Sequence, residues 1–213
     1  MVDRMPFGIV LFGDVVASRA TRGAGDWLRA LRDELDELYR GERVAGFEFT
    51  QGDELQGLLL PSADPLEAVV RASLRADRLP MRWVVVAGGV ELGSGPATQR
   101  SGPAFLAARE LASVARRQRD SLLMRTGAPD TDDLLEGVAP VLGRLLGELT
   151  ARQRDVARLL LVEGLTQAAA ATRLSVRAPT ISVAAERARV RDIGRLRSTT
   201  LKIFRSGVER MAR

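Results

Sequence analysis

The stretch TARQRDVARLLLVEGLTQAAAATRLSVRAPTISVAAERARVR, residues 150–191, decides the fold of the C-terminal third of the chain. Thr150 followed by Gln153 is a capping-box pattern at the start of a helix, and Gly164 ends that helix because glycine readily takes the left-handed conformation. Pro179 fits only the first turn of a later helix, since its missing N–H has no partner there anyway. The pattern predicts a helix-turn-helix, in which one helix can enter the major groove of duplex DNA.

The third helix of this pattern is the one expected to meet DNA. It begins near Ala178, and helical spacing turns Ile181 and Ala185 inward. The side chains left for phosphate groups and base edges are Arg177, Thr180, Ser182 and Arg187. Two alternatives stay open, namely an ordinary three-helix bundle with a solvated basic face and a helix-turn-helix used for protein contacts.

Charge is divided unevenly along the chain. Residues 150–213 contain 14 Arg or Lys against 5 Asp or Glu, a net charge of +9, and because the whole chain carries +5, residues 1–149 carry −4. Neutralisation of phosphates by basic side chains drives non-specific DNA affinity. The distribution therefore favours contact with double-stranded DNA at one end only.

The N-terminal part alternates short apolar runs with helical patterns. Its order is β-α-β-β-α-β-α-β, which predicts an α+β fold of the ferredoxin-like or cyclase-palm type, with one antiparallel sheet and helices on one face. The expected strands are residues 7–12, a hairpin within 46–60, residues 81–90 and residues 122–124.

Two aspartates stand where such a fold presents its carboxylates. Asp14 follows the first strand, and Asp53 lies at the hairpin tip, where Gly52 is expected at the first central position of a two-residue turn. A palm-type domain uses two such carboxylates to hold paired Mg²⁺ ions against a nucleoside triphosphate; Glu54 lies beside the second. The alternative is that both Gly-Asp pairs form ordinary turns.

Missing residue types exclude several kinds of chemistry. The chain has no Cys and no His, so neither a zinc site nor haem ligation is expected, and any metal must be a hard cation such as Mg²⁺ held by carboxylates.

Three segments resemble class III nucleotide cyclases, namely GDVVASR (13–19), FTQGDELQGLL (49–59) and SGPAFLAARE (101–110). The C-terminal helix-turn-helix is similar to region 4 of sigma factors. Taken together, the whole chain resembles the SatD family, in which a cyclase-like domain is joined to a DNA-binding tail. The resemblance implies a transcriptional regulator whose N-terminal domain senses a ligand.

The same resemblance assigns roles to individual residues. It implies that Asp14 and Asp53 bind metal, and that Arg109 corresponds to the arginine with which cyclases stabilise phosphate, a catalytic role if the domain is active. Arg109 and Gly52 are thus the candidates for binding a nucleotide. The alternative for Arg109 is an exposed helix arginine that pairs with Glu110 or another nearby acid.

Two departures from the cyclase pattern bear on catalysis. Phe105 stands where cyclases carry an asparagine, and Phe49 stands where they carry the lysine that selects adenine. Losing one preorganised donor can cost about 3 kcal/mol of transition-state stabilisation, and binding tolerates such losses better than turnover. We therefore expect a sensor for a nucleotide with Mg²⁺ rather than an enzyme. The alternative is a nucleotidyl cyclase or another metal-dependent nucleotide-processing enzyme.

The predicted organisation has three parts: a cyclase-like domain at 1–128, a connecting helix at 129–149 and the DNA-binding domain at 150–213. The tail carries an apolar stripe that either packs on the helix-turn-helix core or pairs with a second copy, and a homodimer is expected. The stripe consists of Ile193, Leu196, Thr200, Ile203, Phe204, Val208 and Met211.

The chain is expected to be cytoplasmic and to have no membrane partner. No apolar run approaches the roughly 18 residues of a membrane span. The opening MVDRMPFGIVLFGDVV is a poor signal peptide because charged residues flank and end its apolar run.

Overall fold

A computed structural model describes residues 5–16, 24–50, 54–91 and 93–212. The strands in these ranges are β1 (Phe7–Val15), β2 (Arg43–Phe49), β3 (Glu54–Leu59), β4 (Met81–Gly89) and β5 (Leu122–Arg125). The helices are α1 (Ala24–Leu38), α2 (Pro65–Leu74), α3 (Pro103–Gln118), α4 (Pro129–Gly147), α5 (Ala151–Leu161), α6 (Gln167–Arg173), α7 (Ala178–Arg187) and α8 (Val190–Ala212), with a 3-10 turn at Ala97–Gln99.

The strands form one mixed sheet in the order β2-β3-β1-β4-β5. Antiparallel pairing joins β1 to β3, β1 to β4 and β2 to β3, whereas β5 runs parallel to β4. The prediction of an entirely antiparallel sheet is therefore wrong at this edge. The reason is that α3 crosses over between β4 and β5 and returns the chain in its original direction.

Helices cover both faces of the sheet, so the expected single layer of helices is also wrong. On one face Ile9 and Leu11 of β1 pack with α1 and α2, and on the other Val10 and Phe12 pack with α3. Every position of β1 except Phe7 and Asp14 is buried. A strand buried on both faces needs a layer of structure on each side.

Local capping signals place the C-terminal helices. The side chain of Thr150 accepts a hydrogen bond from the Gln153 N–H while the Gln153 side chain accepts one from the Thr150 N–H, which confirms the capping box at the start of α5. Gly164 has a φ of +65°, the left-handed conformation expected after α5. The helix α7 begins at Ala178, with Pro179 in its first turn, as predicted.

The N- and C-terminal parts share one apolar core. A single cluster of buried side chains runs from β1 through α4 to Phe204 and Val208 on α8, and Arg197 on α8 places Nη2 2.7 Å from carboxylate oxygens of both Asp64 and Glu67 beside α2. This contact joins the last helix directly to the sheet-bearing part of the chain.

The apolar stripe of the tail packs within the chain, which was the simpler of the two alternatives. Ile193, Thr200, Phe204 and Val208 are buried, whereas Met211 near the end of α8 is exposed. The stripe therefore contributes to the shared core and is not a free surface for a second copy.

In the part of the chain that the structure describes, none of the helices has both the length and the apolar character needed to cross a membrane.

Candidate functional site

Asp14 belongs to a row of three charged residues that crosses the sheet near the end of β1. In the strand register Asp14 stands opposite Glu54 on β3 and opposite Arg82 on β4. Directly opposed residues of antiparallel strands lie on the same face of a sheet, and this face is the one that α3 covers. The row therefore lies under the side chains of α3.

The guanidinium of Arg116, on α3, holds the two carboxylates together. Its Nε lies 3.2 Å from Asp14 Oδ2, and its Nη2 pairs with Glu54 Oε1. Arg82 supplies a second cation, with Nη1 3.5 Å from the same Asp14 oxygen. Partial burial opposes the charge of Arg116, but its hydrogen bond to Asp14 and the charges of both carboxylates outweigh that effect and raise its pKa. We call these four residues the edge cluster.

The edge cluster can exchange its internal ion pairs for pairs with a ligand. Carboxylate oxygens are the ligands that Mg²⁺ prefers, and guanidinium groups bind phosphate oxygens through two parallel hydrogen bonds. The side chains of Asp14 and Glu54 are 13% and 25% exposed, so solvent reaches both. A phosphate group with its metal ion matches both halves of the cluster.

Two of the predicted site residues, Asp53 and Gly52, lie outside the described residues, as does the two-residue turn expected there. The last described hydrogen bond of the hairpin runs from Thr50 N to Glu54 O, at 3.0 Å. Among the described residues no group of three or more acidic, His or Cys side chains is arranged to hold a metal ion. Asp14 is thus the one predicted metal ligand that the structure places.

Arg109 is exposed on α3 and lies seven residues before Arg116. Seven residues correspond to about two helical turns, or about 10 Å along the axis. Both arginines therefore lie on the same side of α3 but at different positions along its axis. The structure brings Arg116, and not Arg109, to Asp14. Sequence reasoning missed Arg116, for which the available signal was its spacing of two turns from Arg109, and it missed Arg82.

The two phenylalanines that depart from the cyclase pattern are both occupied within the fold. Phe105 is 3% exposed and packs in the core between α3 and the sheet. Phe49 is half-buried, and the guanidinium carbon of Arg32 lies 5.7 Å from the centre of its ring. Within this arrangement Phe105 is too enclosed to contact a ligand, and neither phenylalanine can donate a hydrogen bond to one.

The four residues predicted to meet DNA are all exposed around α7. Arg177 is the N-cap residue, while Ile181 and Ala185 face the core as predicted. Thr180 and Arg187 line a groove of about 590 Å³ between α7 and the start of α5. The face that sequence reasoning assigned to DNA is therefore accessible.

The four residues do not share one groove, however. Ser182 lies on the other flank of α7, in a separate depression that also contains Glu186 and Asp192. The exposed Val183 also lines the groove that faces α5. Arg187 lines that groove together with Arg152 and with no acidic residue among its described lining.

Comparisons with known proteins give the following findings. No protein-family model matches the chain, and no curated protein matches it. Among solved structures, that of a bacterial light-regulated adenylyl cyclase is similar over 57% of this chain and 76% of that chain, with 17% sequence identity and a TM-score of 0.41. A second structure of a bacterial light-regulated adenylyl cyclase is similar over 57% of this chain and 43% of its own, with 15% identity and a TM-score of 0.40.

Proposed function

We propose that the N-terminal part of the chain is a cyclase-like domain that binds a nucleoside triphosphate together with Mg²⁺ at the edge cluster. The observation that carries this proposal is the position of Asp14, whose carboxylate stands between Arg82, Arg116 and a second carboxylate at Glu54. The sequence resemblance to class III cyclases supports it, because the segment that contains Asp14 is one of those that carry the resemblance.

The donor set fits the metal that the resemblance implies. Asp14 and Glu54 offer only carboxylate oxygens, which suit a hard cation, and both ion pairs of Asp14 within the described residues use Oδ2. In this proposal Asp14 and Asp53 hold the metal ion, which would supply charge stabilisation to the phosphates. Arg116 and Arg82 leave the carboxylates and bind phosphate oxygens.

Binding, rather than turnover, is the activity that these side chains favour. The buried Phe105 and the half-buried Phe49 remove two polar groups that cyclases apply to the transition state, and one such donor is worth a hundredfold or more in rate, or about 3 kcal/mol. The competing function is a nucleotidyl cyclase or another metal-dependent nucleotide-processing enzyme, in which Arg109 acts as the catalytic arginine.

Calorimetric titration of the full chain with ATP and with GTP, each with and without Mg²⁺, tests this proposal. Asp14→Asn should abolish the Mg²⁺-dependent part of the binding, whereas Asp133→Asn, on the exposed side of α4, should not change it. Identical Mg²⁺-dependent binding by both variants would contradict the proposal. Cyclic or hydrolysed product that forms with the wild type and is lost in Asp14→Asn would establish the enzyme instead.

A second function, DNA binding by α7, is favoured by the exposure of Arg177, Thr180, Ser182 and Arg187. We propose that these side chains contact a DNA duplex, with the arginines on phosphate or guanine and the hydroxyl groups near base edges. Combined with the first proposal, this describes a transcriptional regulator of the SatD type, whose ligand alters its affinity for DNA. A homodimer would address two half-sites about one helical turn apart.

Salt-dependent DNA affinity of the full chain tests the second function. The double variant Arg177→Ala/Arg187→Ala should bind DNA more weakly and with a shallower salt dependence, because each lost phosphate contact reduces counterion release. The control Arg205→Ala removes an exposed arginine from α8 instead. Equal affinities of the double variant and the wild type would remove α7 from the proposal.

A further inference from the structure

A cavity of about 390 Å³ lies beside the edge cluster, between α2, the start of β4, the end of α3 and the last turns of α4. Its volume is within the range of about 300–1,000 Å³ that is usual for small-molecule sites. No Asp or Glu is among its described lining residues. Its polar lining consists of Arg78, Arg82, Arg116, Arg119, Ser73 and Ser121. We call it the junction cavity, because it lies where the sheet meets α4.

Arg78 enters this cavity without a carboxylate partner among the described residues. Its Nη2 donates to Gly147 O at 2.8 Å and its Nη1 to Leu146 O at 3.4 Å, so it binds the carbonyl end of α4. Arg154 donates to Leu149 O, two residues beyond Gly147, at 2.9 Å. Burial and the nearby charge of Arg154 lower the pKa of Arg78. An anion in the cavity would relieve both effects.

Arg119 contributes a side chain to the same cavity. It ends α3 with a φ of 61°, in the left-handed region that residues other than glycine, asparagine and aspartate rarely adopt. Ser175 and Arg189 take the same conformation after α6 and α7, since a left-handed residue commonly ends a helix. In this conformation Arg119 lines the junction cavity together with Ser121.

We propose that the junction cavity binds a small anion that carries two or more phosphate groups, and that it does so without a metal ion. Four guanidinium groups are available, of which Arg82 and Arg116 are partly neutralised by Asp14 and Glu54, whereas Arg78 and Arg119 have no such partner among the described residues. One phosphate group pairs with Arg78 and Arg119 and another with Arg82 and Arg116. The bound anion thereby joins the sheet to the end of α4.

This site does not depend on the metal-binding function proposed above. The side-chain polar groups that the anion meets are guanidinium and hydroxyl groups, so it binds in the presence of a chelator. The two proposals share Arg82 and Arg116 but predict opposite effects for Asp14→Asn. That substitution removes a metal ligand, yet it also frees both arginines of the edge cluster from their shared carboxylate oxygen.

Titration of the full chain with inorganic tripolyphosphate in EDTA, at constant ionic strength, tests the inference. We expect saturable binding that Arg119→Gln weakens by about tenfold or more, since a hydrogen bond to a charged group contributes about 1.5–3 kcal/mol. The matched control Arg117→Gln removes an exposed arginine two residues away on α3, and it should leave the affinity unchanged. A thermal melt of each variant shows that it remains folded.

Asp14→Asn separates this inference from the metal site. It should tighten tripolyphosphate binding in EDTA by up to about fivefold, the charge-pair contribution of a partly exposed carboxylate being about 0.2–1 kcal/mol, while it abolishes Mg²⁺-dependent nucleotide binding. Equal losses in Arg119→Gln and Arg117→Gln, or the absence of saturable binding in EDTA, would overturn the inference and leave the metal-site proposal intact. ADP in EDTA should bind at the same cavity and compete with tripolyphosphate.

Discussion

Replacing Arg116 by Met removes the cation that joins Asp14 to Glu54 while keeping most of the apolar stem of the side chain. The Arg116 guanidinium now lies 3.2 Å from Asp14 Oδ2 and also contacts Glu54. In the variant the two carboxylates face each other across neighbouring strands with only Arg82 nearby. We therefore expect lower stability without metal ions, and a larger stabilisation by Mg²⁺ than in the wild type.

The expected loss of stability in Arg116→Met follows from the geometry and the exposure of the charged side chains. Opposite unit charges 3.2 Å apart attract by about 5 kcal/mol at an effective dielectric constant of about 20. Because the Arg116 side chain is 43% exposed, solvent screening and the loss of side-chain entropy reduce the net contribution to about 0.5–1 kcal/mol. For a chain of this size that corresponds to a fall in Tm of about 1–4 °C.

The assay is thermal unfolding of the wild type and Arg116→Met in EDTA and over a series of Mg²⁺ concentrations at constant ionic strength. At ten times its Kd, an ion that binds only the folded chain stabilises it by about 1.4 kcal/mol. The wild type gains less stability from Mg²⁺, since the ion must first displace Arg116 from the two carboxylates. The control Arg117→Met removes an adjacent exposed arginine and should behave as the wild type does. Equal Mg²⁺-induced shifts in Arg116→Met and the wild type would refute the idea that Arg116 occupies the place of a cation.

Three further predictions concern stability, measured as the free energy of unfolding in urea. Gly143→Ala should destabilise the chain by about 1–3 kcal/mol, because a Cβ there would lie 2.7 Å from Ser121 Oγ, whereas Gly147→Ala on the same helix, with nothing within 4 Å, should be neutral or slightly stabilising. Arg197→Met should cost about 1–3 kcal/mol, since it leaves two half-buried carboxylates near α2 without their shared cation; no change would show that α8 is held by apolar packing alone. Thr150→Ala should lower the free energy of unfolding by about 1 kcal/mol through loss of the capping box at α5. An unaltered midpoint of urea unfolding would contradict a stabilising role of that cap.

Features carried by neighbouring residues were predictable from the sequence. The capping box of α5 and the start of α7 at Ala178 depend on contacts within a few positions of the chain, and the strand at residues 122–124 was marked by its apolar composition. The periodic spacing of apolar residues and the capping residues at helix ends indicate such contacts directly. The position of Asp14 at the end of the first strand belongs to the same group, because the apolar run before it marks the strand.

The parallel pairing of β5 and the second layer of helices were not predictable in this way. A helix between two strands is compatible with either sheet edge and either face, and the amphipathic pattern of α3 shows only that one of its sides is buried. The continuous apolar run of β1 was the one signal in the sequence for two layers, but it does not say which helix covers which face, which only the packing of α1 and α2 on one side and α3 on the other shows.

By itself, the sequence determined where α5 and α7 begin, which residues of α7 face the core and where the charge lies along the chain, since each of these depends on spacing or composition alone. Only the tertiary structure decided that Arg116 meets Asp14, 102 residues earlier, that the stripe on α8 packs within the chain, and that arginines from α3, from β4 and from the segment before β4 line one cavity. The physical reason is that such pairs form only when packing of the apolar core brings distant segments together, and a one-dimensional pattern does not encode which exposed charge lies nearest to which.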